Sequence, residues 1–225
     1  KSIKNLHLGV YPPNGRVRVA VPPGVSDEAI RLAVVTRMGW IKRQQTKFKS
    51  QPRQPERRYV SGETHFFLGR GYRLNLIEGA KAGCVQIRNS RTVDLYVRDE
   101  SDLEVRERVF LDWYRRELRI RAAPLIEKWA AEYGVPVPDW GIRRMKTKWG
   151  SCNIDSRRIW LNLEVIKKPT HCLDYVVVHE MAHFLERNHT DRFVSILDQM
   201  LPQWRIYRDE LNAEPLAHEE WEAAK

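Results

Sequence analysis

The chain has 225 residues, of which 42% are hydrophobic and 30% charged, and it carries a formal net charge of +10. These values describe an ordinary soluble protein that can bury a core in one domain or two. No apolar run approaches the roughly 18–20 residues that a membrane-spanning helix needs, so we expect no membrane partner.

The cysteines and the first residues bear on location. Cys84, Cys152 and Cys172 are odd in number and have no CxxC spacing, which argues against a disulfide framework and a structural zinc knuckle. The first residues also lack the apolar core of a secretory signal. These features predict a cytoplasmic protein, and they do not indicate its oligomeric state.

Basic residues are concentrated between Arg37 and Arg58, where eight lysines and arginines accompany one acidic residue, Glu56. A solvated helix end and loop is the favoured interpretation, because no nucleic-acid-binding motif accompanies the charge. The alternative is a surface that contacts nucleic acid or another polyanion.

The first hundred residues read as mostly strands. The runs LHLGVY and RVRVAV, with Pro-Pro-Asn-Gly between them, predict two strands and a turn. The segment from Ser26 to Phe48 predicts one helix with Ser26 as its N-cap, and residues 49–58 predict a loop. Four further strands are predicted at THFFLG, YRLNLIEG, GCVQIRN and TVDLYVRD. The glycines and asparagines between them favour antiparallel pairing.

The second half reads as mostly helical. One long helix is predicted from Asp102 to Tyr133, with Gly134 as its C-terminal cap. The strands WGIRRMKTKWGS and RRIWLN follow, joined by a turn at NIDS. A helix from about Thr170 to Arg187 and two closing helices, near 190–200 and 203–212, complete the chain. This order predicts an α+β fold, with a β-rich N-terminal part with one helix in residues 1–100 and a mixed domain in residues 101–225.

The segment DYVVVHEMAHFLERNHTDRF, residues 174–193, contains the pattern HExxH. His179 and His183 lie four residues apart, so both project from one face of a helix and can bind one cation. Zinc suits neutral imidazoles, and it needs a third protein ligand if the fourth position is to hold water. The apolar residues 175–178 predict a buried helix whose histidines open toward a cleft.

Two residues downstream are candidates for the third ligand. Glu186 follows on the same helical face, but a straight helix places it about 10.5 Å along the axis from His179. His189 can reach the metal only if the helix ends and the chain turns back. Asn188 tolerates the left-handed conformation of such an ending, and Thr190 can cap a new helix. We therefore favour His189 over Glu186.

Glu180 has a different predicted task. Its carboxylate is placed to accept a proton from a water that the metal activates and to return it to the leaving amine, which amounts to amide hydrolysis. Carboxylates that orient the ligands would come from Glu164, Glu186 or Asp191, and the pattern does not distinguish them. The remaining histidines are predicted to be satisfied core residues, and they are His7, His65, His171 and His218.

Two segments together carry a family resemblance. MKTKWGSCNIDSRRIWLN, followed by DYVVVHEMAHFLERNHTDRF, closely resembles the YgjP-like metallopeptidases, relatives of the SprT-type zinc proteases. The pairing of a WGSC strand with HExxHxxxxxH is much more specific than HExxH alone. The resemblance implies a zincin-like minidomain, zinc (Zn2+) on His179, His183 and His189, Glu180 as the base, and a peptide or protein substrate.

In zincins, a strand edge beside the motif helix pairs with an extended substrate through main-chain hydrogen bonds. In this chain the edge would come from residues 159–162 or from the WGSC strand. The substrate-binding candidates on that strand are Lys148, Trp149, Gly150 and Ser151. The alternative is that Trp149 and Trp160 anchor the hairpin in the core.

Two other functions compete with a zinc peptidase. The same metal and Glu180 could cleave a nucleotide phosphoanhydride, with the phosphates held by basic residues such as Arg143, Arg144, Lys146 and Lys148. The third interpretation is a non-enzymatic nucleic-acid-binding protein with a vestigial metal site. It predicts a function that survives Glu180→Gln and binding that weakens steeply with salt.

Overall fold

The structure is a computed structural model that describes residues 5–11, 15–50 (backbone only at 47–50), 57–145 and 148–213. The chain divides into two compact units at the boundary between residues 54 and 55. This division differs from the one predicted near residue 100. The reason is that the strands just before residue 100 share one hydrophobic core with the helices that follow it.

A hairpin and two helices make up the first unit. Its elements are β1 (His7–Tyr11), β2 (Arg16–Ala20), α1 (Asp27–Val35) and α2 (Met38–Ser50). β1 and β2 pair in antiparallel register, and Ser26 caps α1 by accepting a hydrogen bond from the amide of Ala29 at 3.3 Å. The single helix predicted from Ser26 to Phe48 is wrong, because α1 ends before Thr36. The Thr36 hydroxyl donates to the carbonyl of Leu32 at 2.9 Å, a bond that competes with the helical pattern.

The second unit begins with a four-stranded sheet in the order β3-β4-β6-β5. Its strands are β3 (Thr64–Phe67), β4 (Arg70–Ile77), β5 (Cys84–Ile87) and β6 (Thr92–Tyr96). β4 and β6 are parallel, so the prediction of antiparallel pairing is wrong for this pair. Because β5 and β6 form a hairpin with β5 at the outer edge, β6 returns beside β4 in the same direction.

The long helix α3 (Leu103–Tyr133) packs against this sheet. It ends at Gly134, which adopts the predicted left-handed conformation with φ of 63°. Its buried face consists of Phe110, Trp113, Tyr114, Leu118, Ala122, Ile126 and Trp129. These side chains share the core of the unit with inward-facing sheet residues such as Leu74 and Leu95.

A three-stranded sheet, a short 3-10 helix and three α-helices complete the described part of the second unit. The elements are β7 (Asp139–Arg143), β8 (Gly150–Asn153), β9 (Arg158–Asn162), a short 3-10 helix (Leu163–Lys167), α4 (Thr170–Ala182), α5 (Asp191–Met200) and α6 (Trp204–Ala213). The strand order is β7-β9-β8, and β8 and β9 form the predicted antiparallel hairpin. The strand predicted over residues 140–151 is therefore two strands, β7 and β8, on opposite sides of β9.

The fold is α+β, with a β-rich N-terminal region followed by helices, which confirms the predicted class. α4, which carries the motif, contacts α3, α5, α6 and β8. Within the described part of the chain, no helix is both long and apolar enough to span a membrane. The basic segment Arg37–Arg58 falls partly outside the described residues, and its contact with a polyanion stays a prediction.

Candidate metal centre and catalytic cleft

α4 places the motif on a buried framework and ends soon after it. Tyr175 to Val178 are buried, as the apolar sequence predicts. The helix ends at Ala182 rather than near Arg187, and His183 is its C-terminal cap residue. The turn after the helix is tighter than an α-helical turn, because the amide of Leu185 donates to the carbonyl of Ala182, three residues earlier, at 3.0 Å.

Beyond α4 the chain turns back and brings His189 to the other two histidines. Nε2 of His189 lies 3.1 Å from Nε2 of His179, and the ring centroids of His183 and His189 are 4.8 Å apart. One ring nitrogen from each histidine lies within 4.8 Å of those of the other two. α5 then begins at the predicted cap, Thr190, whose hydroxyl accepts a hydrogen bond from the amide of Phe193 at 3.3 Å.

Glu186 does not join this cluster. Its carboxylate accepts a hydrogen bond from the amide of Asn188 at 3.3 Å, away from the histidine nitrogens. The prediction that Asn188 adopts a left-handed conformation is wrong, because Asn188 is not among the non-glycine residues with positive φ. The early end of α4 makes the reversal instead.

Hydrogen bonds orient two of the three imidazoles. Nδ1 of His183 donates to the carbonyl of Glu186 at 3.2 Å, which leaves the lone pair of Nε2 available for a metal. Nδ1 of His179 lies 3.3 Å from the hydroxyl oxygen of Tyr175. Sequence reasoning missed Tyr175 in this role, although its position four residues before His179 puts both side chains on one helical face.

None of the predicted orienting carboxylates contacts a histidine of the cluster. Glu164 is buried and pairs with the ammonium of Lys167 at 2.5 Å. Glu186 contributes its backbone carbonyl, and Asp191 lies exposed in the first turn of α5. The sequence could not reveal this, because a backbone acceptor has no residue-type signal.

The environment of His179 and His183 favours the neutral imidazole, which is the form that binds metals. Burial, followed by the nearby His183 and His189, lowers the pKa of His179 to about 3. The pKa of His183 is also lowered, chiefly by burial. Metal binding requires neutral histidine, and a set of imidazole nitrogens suits zinc better than calcium or magnesium, which prefer oxygen ligands. The residues present therefore fit a zinc ion.

Glu180 lies beside the histidines, at the wall of a cavity of about 680 Å³. Its side chain is only 6% exposed. Burial raises the pKa of Glu180 to about 8, while the positive charge of Lys148 lowers it.

The predicted substrate-binding residues line the same cavity. They are Lys148, Trp149, Gly150 and Ser151. Gly150 and Ser151 belong to β8, which is an edge strand of its sheet. Trp149 packs against the core and also donates its indole N–H to the Asn212 side chain at 3.2 Å. It is both a core anchor and part of the cleft wall, so the two predicted roles are compatible.

The two arginines proposed to hold phosphates already have protein partners. The guanidinium of Arg143 lies 5.0 Å from the centre of the Trp160 ring and donates to the Ser151 hydroxyl. Arg144 pairs with Glu107 at 3.3 Å. Neither arginine lines the cavity, and Lys146 lies outside the described residues. Among the described members of this set, Lys148 lines the cleft.

A second group of metal-ligand types, His171, Cys172 and Glu210, lies at the N-terminal end of α4. Nε2 of His171 is 2.5 Å from a carboxylate oxygen of Glu210, and the Cys172 thiol donates to the carbonyl of Tyr207 at 3.8 Å. His171 and Glu210 thus pair with each other, and the Cys172 thiol has a backbone partner.

The predicted core histidines divide among different environments. His65 is buried, as predicted. The prediction is wrong for His171, whose side chain is 38% exposed in its ion pair, and for His7, which is exposed at the start of β1. His218 lies outside the described residues.

Comparison with known proteins agrees with this chemistry. The sequence model described as "YgjP-like, metallopeptidase domain" matches residues 4–214. No curated protein matches the chain. One similar solved structure is the metallopeptidase zymogen of Pyrococcus abyssi abylysin, with 20% sequence identity and a TM-score of 0.38, over 40% of this chain and 90% of that chain. That overlap is partial, and the family assignment rests on the sequence match. The chain belongs to the YgjP-like metallopeptidase family.

Proposed function

We propose that this metallopeptidase uses zinc, held by His179, His183 and His189, and that Glu180 is the general base. The observation that carries the proposal is the convergence of three imidazoles beside a buried carboxylate on one cavity. Structural zinc sites have four protein ligands, whereas catalytic sites keep one position open. The three histidines and the adjoining cleft are consistent with the second kind.

The ion and the carboxylate have separate tasks in this proposal. When bound, zinc supplies Lewis acidity, which makes water acidic near neutral pH and polarises a carbonyl group. Glu180 accepts the proton that the attacking water loses and passes it to the amine that leaves.

The substrate is expected to lie along β8. An edge strand has main-chain N–H and C=O groups that can pair with an extended peptide, and this edge borders the cavity that contains Glu180. Lys148 and Trp149 precede β8 on the same wall. Main-chain pairing places a peptide bond beside the base with little dependence on the substrate's side chains.

Hydrolysis of unfolded casein tests the proposal. Purified wild-type protein is expected to cleave casein, to lose activity in a chelator and to regain it when zinc is added. Glu180→Gln is expected to keep the zinc and lose the activity. Cleavage of nucleoside triphosphates instead of casein, in parallel assays under the same conditions, would contradict the proposal and favour the phosphoanhydride alternative. Full function in Glu180→Gln would favour a non-catalytic protein.

A further inference from the structure

The carboxylate of Glu180 is held by packing instead of hydrogen bonds. Its side chain is buried at the cleft wall, yet none of the residues that the structure describes donates a hydrogen bond to it. Its oxygens are not among the described buried side-chain atoms that lack a hydrogen-bond partner, so they open to the cleft. Both oxygens are thus available to the reacting groups, and packing against neighbouring atoms is what sets the position of the carboxylate.

Gly150 supplies that contact. A Cβ atom added to Gly150 would lie 2.6 Å from Oε1 and 2.7 Å from Cγ of Glu180, closer than real Cβ contacts allow. The backbone of Gly150 is not in the left-handed region, so an alanine there would meet the Glu180 side chain without any strain in its own backbone. The Glu180 side chain therefore lies directly on the main chain of β8.

β8 itself has little freedom to move away. Gly150 pairs with Leu161 of β9, and the amide of Asn162 donates to the carbonyl of Trp149 at 2.8 Å. The side chain of Asn162, which is fully buried, donates to the carbonyl of Lys148 at 2.7 Å. The start of β8 is thus held by hydrogen bonds from both the backbone and the buried side chain of Asn162.

On the other side of this contact, α4 also has little freedom to move. Val177, Val178, Met181 and Ala182, which flank Glu180, are almost completely buried in the core. A methyl group inserted between α4 and β8 would therefore be accommodated by rotation of the Glu180 side chain. Such a rotation moves the carboxylate, because the carboxylate is the end of that side chain and the three atoms nearest to the added methyl group all belong to it.

We propose that Gly150 is a positioning residue that sets the location of the Glu180 carboxylate in the cleft. This inference rests on the proposed role of Glu180 as the base. The space left by the missing side chain at position 150 is the space that the Glu180 side chain occupies. Gly150 therefore has two roles, in positioning the base for proton transfer and as part of the strand edge that pairs with the substrate.

A stability cycle tests the contact without any need for activity. Gly150→Ala is expected to lower the melting temperature by about 2–8 °C. In the Glu180→Ala background, which removes the atoms that the new methyl would meet, the same substitution is expected to have almost no effect. Gly141→Ala is the matched control, because a Cβ there would lie 2.5 Å from the Trp160 ring in the same sheet. Its effect is expected to be equal in both backgrounds.

Kinetics then test the consequence for catalysis. Gly150→Ala is expected to lower kcat by about 10- to 100-fold, as a base displaced by about 1 Å would, with KM and zinc content close to wild type. Gly141→Ala is expected to keep the wild-type kcat. If Gly150→Ala fails to fold alone, folding of Gly150→Ala combined with Glu180→Ala still supports the contact.

Three results would overturn the inference. They are additive effects of Gly150→Ala and Glu180→Ala on the melting temperature, failure of the double variant to fold, and a wild-type kcat in Gly150→Ala. A wild-type protein without peptidase activity would instead contradict the proposed function, and the stability cycle would still report on the contact.

Discussion

The two ends of α4 each gather three side chains of metal-ligand type, yet their chemistry differs. At the N-terminal end, His171 faces the carboxylate of Glu210 at 2.5 Å, and the pair is open to solvent. At the C-terminal end, Nε2 atoms of His179 and His189 face each other at 3.1 Å beside a cleft, with no carboxylate between them. Proximity of ligand types is therefore a weak criterion, and the discriminating feature is whether a carboxylate already pairs with the histidine.

Removing one histidine from each end of α4 is the strongest test of this difference. His183→Ala is expected to lose zinc and all peptidase activity, because two imidazoles bind the ion poorly. His171→Ala is expected to keep about one zinc per chain and wild-type activity. Metal analysis of the purified variants measures this. Equal zinc content in both variants would show that the ion is held elsewhere.

A similar pair of variants at the C-terminal end of α4 identifies the third ligand. His189→Ala is expected to lower zinc affinity by more than about 100-fold, the upper range for loss of a mere orienting partner. Glu186→Ala is expected to keep the affinity, because its carbonyl still accepts from His183. A competition titration with a chromophoric chelator gives both values. The reverse order would make Glu186 the ligand.

Substitution of Glu180 separates metal binding from the chemical step. Glu180→Gln is expected to lower kcat by about 100- to 10,000-fold, the usual range for loss of a general base, and to leave zinc content unchanged. The control is Glu210→Gln, which removes the anion at the other end of α4 and should leave kcat unchanged. Steady-state kinetics on a peptide substrate measures both, and near-wild-type kcat in Glu180→Gln would exclude it as the base.

The smallest expected effect concerns the orientation of His179. Tyr175→Phe removes the hydroxyl that lies 3.3 Å from Nδ1 and should weaken zinc binding by about 10- to 100-fold. Tyr207→Phe is the matched control, since the Tyr207 ring packs 4.6 Å from that of His171. Its zinc affinity should equal that of the wild type. Unchanged affinity in Tyr175→Phe would mean that packing alone orients His179.

Local patterns predicted much of the fold. The caps at Ser26, Gly134 and Thr190 depend on a few neighbouring residues, and each is where the sequence indicates. Predictions were wrong where distant segments decide the outcome. The parallel pairing of β4 with β6 depends on where β5 lies, and turn residues alone do not reveal that.

The sequence also predicted the main features of the candidate site. HExxH places two histidines on one helical face, and the residues after it predict a chain reversal that brings His189 back. The wrong detail was the mechanism of that reversal, because α4 ends at Ala182. The orienting groups were missed for two reasons. One is a backbone carbonyl, which has no residue-type signal, and the other is Tyr175, which has the right spacing from His179 but whose type also suits a buried core position.

The sequence by itself determined the spacing of the histidines, the family and the α+β class, because helical periodicity and short motifs are properties of neighbouring residues. Only the tertiary structure decided that Glu180 rests on Gly150 and that β8 is an edge strand beside the cleft. Those contacts join segments far apart in the chain, and close packing of the folded core determines which of them meet.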